Sequence, residues 1–325
     1  CSSEITARYK ARLSQGDSLT DLTGGFGIDC SFLATGFKSA TYVERQEELC
    51  EIAAHNFPIL HLNHINVRNE DGVAYLQTMS PVDCIFLDPA RRNEHGGKTV
   101  SIADCEPNVA ELEDLLLSKA SRIMIKLSPM LDLSLALKEL KHTQEVHILS
   151  VNNECKELLI LLGQTSPAEI TIHCVNLFTK GTQEEQHFVF TREQEQRSQC
   201  TYTDSLGDYL YEPNASLLKA GAFRSIAAAY PVRKLHPNSH LYTSDTFIEN
   251  FPGRIFRIVN QCSFNKKEVK ENLADLKKAN VTVRNFPATV AELRKRLHLT
   301  EGGDTYLFAS TLNNGQKVII RCEKV

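Results

Sequence analysis

The chain has 325 residues, of which 42% are hydrophobic and 23% charged, and its net charge is −4. It is long enough for two or three domains, since a single hydrophobic core rarely grows beyond about 250 residues. The composition is typical of a soluble globular protein and excludes a chain that is basic throughout, so a nucleic-acid surface would have to be local. No apolar run is long enough to cross a bilayer, and we therefore expect no membrane partner.

The first half of the chain alternates between predicted strands and helices. After a helix over 2–13, strands are predicted at 19–22, 41–44, 64–67, 82–88 and 122–127, and helices at 29–34, 46–56, 72–79, 108–118 and 133–140. Two further strands, 146–151 and 157–162, are separated only by a short polar segment and are expected to pair as a hairpin. This order predicts an α/β fold with a Rossmann-like parallel sheet that includes one antiparallel hairpin strand.

In the second half of the chain the regular alternation of strands and helices ends, and the order of elements predicts small α+β domains. Strands are expected at 169–177, 187–192, 254–259, 281–284, 305–311 and 317–323, and helices at 214–230, 266–278 and 290–297. The first part of this region has a ferredoxin-like order of elements. With a boundary in the QTSP stretch at 164–167, we predict domains at 1–165, 166–262 and 263–325.

Cysteine and histidine usage indicates a reducing compartment and no metal site. None of the 10 cysteines forms a C-x-x-C pair, and several lie inside apolar runs, so free buried thiols and a cytoplasmic location are expected. His61 and His64 form an H-x-x-H without companion ligands. The chain begins at Cys1 without methionine, and we expect a processed product or a fragment of a longer protein.

The glycine-rich segment DLTGGFGID, residues 21–29, follows the first predicted strand. Ligands of open parallel sheets bind outside the carboxyl ends of the strands, and glycines let backbone amides approach them closely. Candidate cofactor-binding residues here are Asp21, Thr23, Gly24, Gly25 and Gly27. The spacing D-x-x-G-G-x-G differs from the dinucleotide pattern G-x-G-x-x-G. Taken alone, the segment also fits an ordinary strand–turn–helix connection.

Two acidic residues extend this candidate site. Glu44 ends the second strand about 20 residues after the glycines, where an acid hydrogen-bonds ribose hydroxyls. A solvated acid at a helix start is its alternative interpretation. Asp71 precedes the helix after the third strand and is predicted either to accept from an adenine amino group or to cap that helix.

The fourth strand ends in Asp88-Pro89-Ala90-Arg91-Arg92, and the fifth contains Lys126. An aspartate at the end of a buried strand needs partners, which favours a functional role for Asp88. Arg91 and Arg92 are candidates for binding a substrate phosphate or a nearby carboxylate.

Several segments of the chain resemble a bacterial class I methyltransferase family that depends on S-adenosylmethionine (SAM). They are DLTGGFGID, FLDPARR, IKLSP, ECKELL, YLYEPNASLLKAGAF and RNFPATVAELRKRL. Members carry a ferredoxin-like middle domain and a THUMP-like C-terminal domain. The resemblance covers nearly the whole chain and implies SAM as cofactor and RNA, either tRNA or rRNA, as substrate.

Amino-directed methyltransferases carry an Asp/Asn-Pro-Pro-aromatic motif at the position of Asp88. Asp88 and Pro89 match this motif and are the candidate catalytic residues, whereas Ala90 and Arg91 depart from it and leave the methylated atom open. Lys126 is a candidate secondary substrate contact. The cysteine that uracil C5 methylation requires after the fifth strand is absent, which disfavours that chemistry.

Residues 262–325 hold 12 Lys/Arg against 7 Asp/Glu. A basic face that includes Arg294 and Arg296 would suit RNA phosphates, although such charges on a helix are often only solvated. The leading hypothesis is methylation of a base nitrogen in RNA. Methylation of DNA, protein or a small molecule is an alternative, as is a non-catalytic RNA-binding module that retains a vestigial fold.

Overall fold

A computed structural model describes residues 2–91, 101–181 and 185–325. It divides into two compact units, 1–192 and 193–325. Among the described helices, none combines the length with the apolar character that crossing a bilayer requires. No disulfide joins the nine cysteines of the described ranges, and seven of them are buried, as their positions in apolar runs predict.

The first unit is built on a nine-stranded sheet with the order β11-β10-β8-β9-β7-β4-β1-β2-β3. Its strands are β1 (Gly16–Asp21), β2 (Phe37–Glu44), β3 (Ile65–Asn69), β4 (Val82–Leu87), β7 (Ala120–Leu127), β8 (Thr143–Val151), β9 (Glu154–Gly163), β10 (Thr171–Leu177) and β11 (Glu185–Thr191). A separate short ribbon pairs β5 (Ala90–Arg91) with β6 (Cys105–Glu106). The helices are α1 (Glu4–Ala11), α2 (Ile28–Leu33), α3 (Glu47–Ile59), α4 (Gly72–Thr78), α5 (Val109–Lys119) and α6 (Leu133–Glu139).

The pairing of this sheet confirms the predicted fold class. Strands β1, β2, β3, β4 and β7 are mutually parallel, and β9 runs antiparallel between β7 and β8. The chain reverses its direction of winding at β1, which pairs with β2 on one side and β4 on the other. A ligand site is therefore expected at the carboxyl ends of β1 and β4.

Strands β10 and β11 lie in a different place from the one predicted. We assigned both to a second domain that begins at residue 166, but β10 pairs in parallel with β8 along its whole length, and β11 pairs with β10. These main-chain hydrogen bonds extend the first sheet, so the first unit ends at Arg192 rather than 165. A strand pattern predicts that a strand exists but not which edge it joins.

The second unit contains a seven-stranded sheet with the order β13-β14-β12-β15-β18-β17-β16. Its strands are β12 (Tyr209–Pro213), β13 (Arg233–Lys234), β14 (Tyr242–Ser244), β15 (Gly253–Ser263), β16 (Asn280–Arg284), β17 (Thr305–Thr311) and β18 (Lys317–Lys324). The helices that follow β11 are α7 (Arg192–Arg197), α8 (Ala215–Ala220), α9 (Ser225–Ala229), α10 (Lys266–Leu273) and α11 (Val290–Leu297). The single helix predicted over 214–230 is two helices, because Gly221 ends α8 with a φ of 76°. The boundary predicted after residue 262 falls near the end of β15, inside this sheet.

Candidate active site

The glycine turn after β1 is held by its own backbone and by Asp21. Asp21 is 1% exposed, and its Oδ1 accepts from the Thr23 amide at 3.0 Å. Gly25 and Gly27 have φ values of 52° and 74°, which glycine adopts without strain. A Cβ on Gly24 would lie 2.2 Å from the Tyr42 ring. The conformation and packing of the turn therefore require these glycines, and the hydrogen bond to Asp21 fixes its start.

Glu44, at the end of β2, holds the glycine turn through hydrogen bonds to its carboxylate. Its Oε2 accepts from the Gly25 amide and its Oε1 from the Gln46 amide, each at 2.9 Å. An ionised carboxylate has about four acceptor positions, so two remain for a ligand. The Tyr42 hydroxyl also donates to the Gly25 carbonyl. The acid that was predicted to hold ribose hydroxyls thus also shapes the glycine turn.

Asp71 caps helix α4. Its Oδ1 accepts from the Val73 and Ala74 amides, both at 3.0 Å, so the capping interpretation of this residue is correct. Its carboxylate also lines the cavity described below. Capping and ligand contact are compatible because both hydrogen bonds use one oxygen.

The glycine turn and the tip of β4 are bonded to each other. The Thr23 hydroxyl accepts from the Asp88 amide at 2.6 Å, and the Leu22 amide donates to the Phe86 carbonyl at 3.0 Å. The two motifs predicted to share a cleft therefore do lie side by side.

A cavity of about 480 Å³ opens beside these two loops. Its lining includes Thr23, Gly25, Glu44, Asp71 and Asp88. Five acidic residues are among those that line it (Glu44, Asp71, Asp88, Glu106 and Glu111), and Arg45 is the one basic residue among the described lining residues. Its volume suits a nucleoside-sized ligand. The excess of negative charge favours a cationic ligand over one that carries phosphates.

A second cavity, of about 520 Å³, also has Asp88 in its lining. It is lined by Asp88, Pro89, Ala90, Lys126 and others, and it contains no aromatic side chain among the described lining residues. Asp88 and Ala90 are common to both cavities. The side chain of Asp88 is 39% exposed. It could therefore contact a ligand in either cavity.

Lys126 lies in a buried network of charges rather than free in the cavity. Its Nζ is 2.6 Å from Asp88 Oδ2 and 2.8 Å from Asp29 Oδ2. On the far side of Asp29, Lys10 lies 3.1 Å from Asp29 Oδ1 and also pairs with Glu157. The lysine side chains are 8% exposed or less. We predicted Lys126 as a secondary substrate contact. It lines the second cavity, and its ammonium group is paired with Asp88 and Asp29.

The sequence analysis missed the rest of this network, namely Ser2, Lys10, Asp29 and Glu157. The Ser2 hydroxyl accepts from the ammonium groups of Lys10 and Lys126, at 2.8 and 3.1 Å. Its single proton lies between Asp29 Oδ2 and Glu157 Oε1, which are 2.8 and 3.0 Å from its oxygen. Lys126 interrupts the apolar run RIMIKL, and this was the available signal that an acidic partner must lie nearby. Which acids face it depends on the fold.

Burial dominates the electrostatics of the two aspartates. It raises the pKa of Asp21 to about 8, with the nearby Asp29 and Asp88 adding to the effect. Burial also raises the pKa of Asp88, against the opposing effect of Lys126. Burial alone would raise the pKa of Asp29 too, but Lys10 and Lys126 outweigh it and keep that pKa below its usual range. Asp88 is therefore a stronger base than an ordinary aspartate.

The four predicted arginines are not tested by these two cavities. The side chain of Arg91 and all of Arg92 lie outside the described residues. In the second unit, Arg294 is paired with Glu301 at 3.1 Å, and Arg296 lies over the Phe264 ring at 4.0 Å. Arg296 and its neighbour Lys295 remain exposed.

Comparisons with known proteins cover the whole chain. Residues 209–252 match a ferredoxin-like domain family and residues 253–324 a THUMP domain-like family. A crystal structure from Porphyromonas gingivalis W83, provisionally assigned as a methyltransferase, is 38% identical, with a TM-score of 0.90 over 100% of this chain and 81% of that chain. A comparison with curated proteins finds no significant match.

Two further structures match about half of this chain at low identity. One is an rRNA methylase from Streptococcus thermophilus, with 13% identity, a TM-score of 0.35 and coverage of 49% of this chain and 93% of that chain. The other is TrmK from M. capricolum in complex with S-adenosyl-homocysteine, with 13% identity, a TM-score of 0.39 and coverage of 50% and 70%. Likenesses at this level carry no argument about the chemistry of this chain.

Proposed function

This chain belongs to the bacterial class I methyltransferase family that carries ferredoxin-like and THUMP-like domains, and we propose that it transfers a methyl group from SAM to RNA, with a base nitrogen as acceptor. The observation that carries the proposal is the position of Asp88 between two cavities. One cavity suits the cofactor and the other the acceptor.

The residues of the first cavity fit SAM. The space beside the Gly25 Cα is open, since the nearest atom to a Cβ built there would be 3.9 Å away. Glu44 keeps acceptor positions for ribose hydroxyls, and Asp71 lies in the same lining. The acidic lining suits a molecule that carries a sulfonium and an ammonium group. Bound SAM would supply a methyl group that is already electrophilic.

The chain's own residues would align the acceptor and accept its proton. Asp88 and the carbonyl of Pro89 would accept hydrogen bonds from an amino group of the acceptor, and both residues line the second cavity. As the acceptor nitrogen took the methyl group, the methyl–sulfur bond of bound SAM would break with its electron pair left on sulfur, and Asp88 would take the acceptor's proton and pass it to solvent. The raised pKa of Asp88 suits this role.

RNA is supported by the THUMP domain-like match over residues 253–324 and by the local excess of basic residues there. The absence of an aromatic ring among the described residues of the second cavity weakens the case for base stacking. Other interactions would have to hold the base there.

The test is a transfer assay with radiolabelled SAM on total RNA, DNA and protein from cells that lack this protein. We expect label in RNA with the wild-type chain and none with Asp88→Ala, which should still bind SAM in titration calorimetry. Label confined to DNA or protein would replace the proposed substrate. Full transfer by Asp88→Ala would refute the role of Asp88.

A further inference from the structure

A cluster of histidines with one glutamate lies on one face of the first sheet. Glu145 and His147 are two residues apart in β8 and so share a face, and His173 is opposite His147 on the parallel neighbour β10. One ligand atom from each of these three residues lies within 4.8 Å of the other two. The cluster lines neither of the cavities beside Asp88.

We propose that Glu145, His147 and His173 bind a divalent transition-metal ion, for which Zn²⁺ is the best fit. Two imidazoles and one carboxylate form a common zinc donor set, with water in the fourth position. Bonds of about 2.1 Å place tetrahedral ligand atoms about 3.4 Å apart. Glu145 Oε2 and His147 Nε2 already lie 3.2 Å apart. This proposal departs from our expectation that the chain has no metal site.

The second ring nitrogen of each histidine is already engaged. The Tyr9 hydroxyl lies 2.8 Å from His147 Nδ1, and His187 Nε2 lies 3.1 Å from His173 Nδ1. Metal-binding histidines nearly always have such a partner on the nitrogen that does not bind the ion. Nε2 of each ring is therefore the nitrogen proposed to bind the ion, and that of His147 already faces Glu145 Oε2. His147 is 2% exposed, so its orientation is held by packing as well.

Binding requires one small movement. The rings of His147 and His173 are stacked, with 4.3 Å between centroids and 9° between planes. Parallel rings cannot both aim a lone pair at one ion, so one ring must turn about its Cβ–Cγ bond. Rotation about this bond is soft. The less buried His173 is the ring expected to turn.

Nearby charges do not occupy the cluster. Among the described residues, the charge of Arg122 acts on Glu145, and that of Arg12 acts on the neighbouring His187. Arg12 is paired with Glu185, and Arg122 donates to the Leu13 carbonyl. An ion here would join β8 to β10 and so attach the β10–β11 pair more firmly to the sheet. The inference does not depend on the methyltransferase activity.

The experiment titrates the full chain, freed of metal by a chelator, with ZnCl₂ in a calorimeter. We expect one ion per chain and a raised Tm. Glu145→Gln and His173→Gln should each weaken binding about 100-fold, and Tyr9→Phe about 10-fold. His55→Gln, an exposed histidine in α3, should bind like the wild type.

Two further measurements keep the outcome unambiguous. The double variant Cys155→Ser, Cys200→Ser removes the two less buried of the described thiols and should retain binding. Co²⁺ in place of Zn²⁺ should give the visible absorption of a four-coordinate site, lost in His173→Gln. The proposal is overturned if no ion binds, if folded Glu145→Gln and His173→Gln bind as tightly as the wild type, or if the cysteine variant loses binding.

Discussion

Lys126 Nζ lies 2.6 Å from Asp88 Oδ2 and 2.8 Å from Asp29 Oδ2, so one buried ammonium group joins the tip of β4 to the first turn of α2. Burial alone would lower the pKa of Lys126, but the two carboxylates outweigh it and raise that pKa above its usual range. Lys126 therefore stays charged and fixes the carboxylate that stands between the two cavities.

Replacing Lys126 by methionine should uncouple Asp88 from this network. Without the ammonium group the pKa of Asp88 rises further, so the acidic limb of the transfer rate moves to higher pH, and the rate at pH 7 falls at least about 10-fold. SAM affinity should change little. Lys156→Met is the control, because Lys156 lines the same cavity but pairs with Glu154. An unshifted pH profile in a folded Lys126→Met variant would contradict this role.

Replacing Glu44 by glutamine should weaken SAM binding. The change removes the negative charge that receives the Gly25 amide and that is proposed to receive the ribose hydroxyls. A hydrogen bond to a charged group contributes about 1.5–3 kcal/mol, so the Kd should rise about 10- to 100-fold in calorimetry. Glu47→Gln, exposed in the first turn of α3, should bind like the wild type. Equal affinity for both variants would remove Glu44 from the site.

Replacing Asp21 by asparagine should change how stability depends on pH. With a pKa near 8 in the folded state and about 3.9 when unfolded, the folded chain holds one more proton than the unfolded chain between these values. The free energy of unfolding therefore falls as pH rises from 5 to 8, by about 1 kcal/mol per pH unit from this group.

The Asp21→Asn variant has no such ionisation, so its free energy of unfolding should fall less over the same range. Urea unfolding of both proteins between pH 5 and 8 measures the difference, with Asp114→Asn, an exposed position on α5, as the control. Identical pH slopes for wild type and Asp21→Asn would show that Asp21 is ionised throughout.

Replacing Glu212 by glutamine should destabilise the second unit. Glu212 is 1% exposed and binds Arg254 and Arg284, with Arg284 Nη2 at 3.0 Å from Oε1. Removing one partner of a buried ion pair costs about 3–5 kcal/mol. Glu323→Gln breaks the exposed pair with Arg257 and should cost less than about 1 kcal/mol. Denaturant unfolding of the full chain compares them, and similar losses would mean that the burial of Glu212 has no energetic consequence.

The first sheet could be predicted from the sequence because each strand of the alternating region is bounded by its own turn or cap. Asp71, for example, caps α4 where the pattern placed that helix's start. Strand β10 could not be placed, since its apolar pattern fits either unit and only its hydrogen bonds with β8 decide the matter. The cap at Gly221 was similarly hidden inside a continuous helical pattern.

The candidate site likewise contains some residues that could be predicted from the sequence and others that could not. Residues from Asp21 to Asp88 that line or support the cleft follow strand ends and could be found from local patterns. Lys10 and Glu157 could not, because they are 147 positions apart and meet only when α1 packs on the sheet. His147 and His173 are brought together by strand pairing alone, which left the metal cluster invisible in the sequence.

The central claim is that the glycine turn and the tip of β4 form one SAM site, and a crystal structure of the chain soaked with S-adenosyl-homocysteine tests it most directly. We predict density for the nucleoside between Gly25, Glu44 and Asp71, with the sulfur directed towards Asp88. Density at another place on the molecule, or none at saturating concentration, would contradict the account.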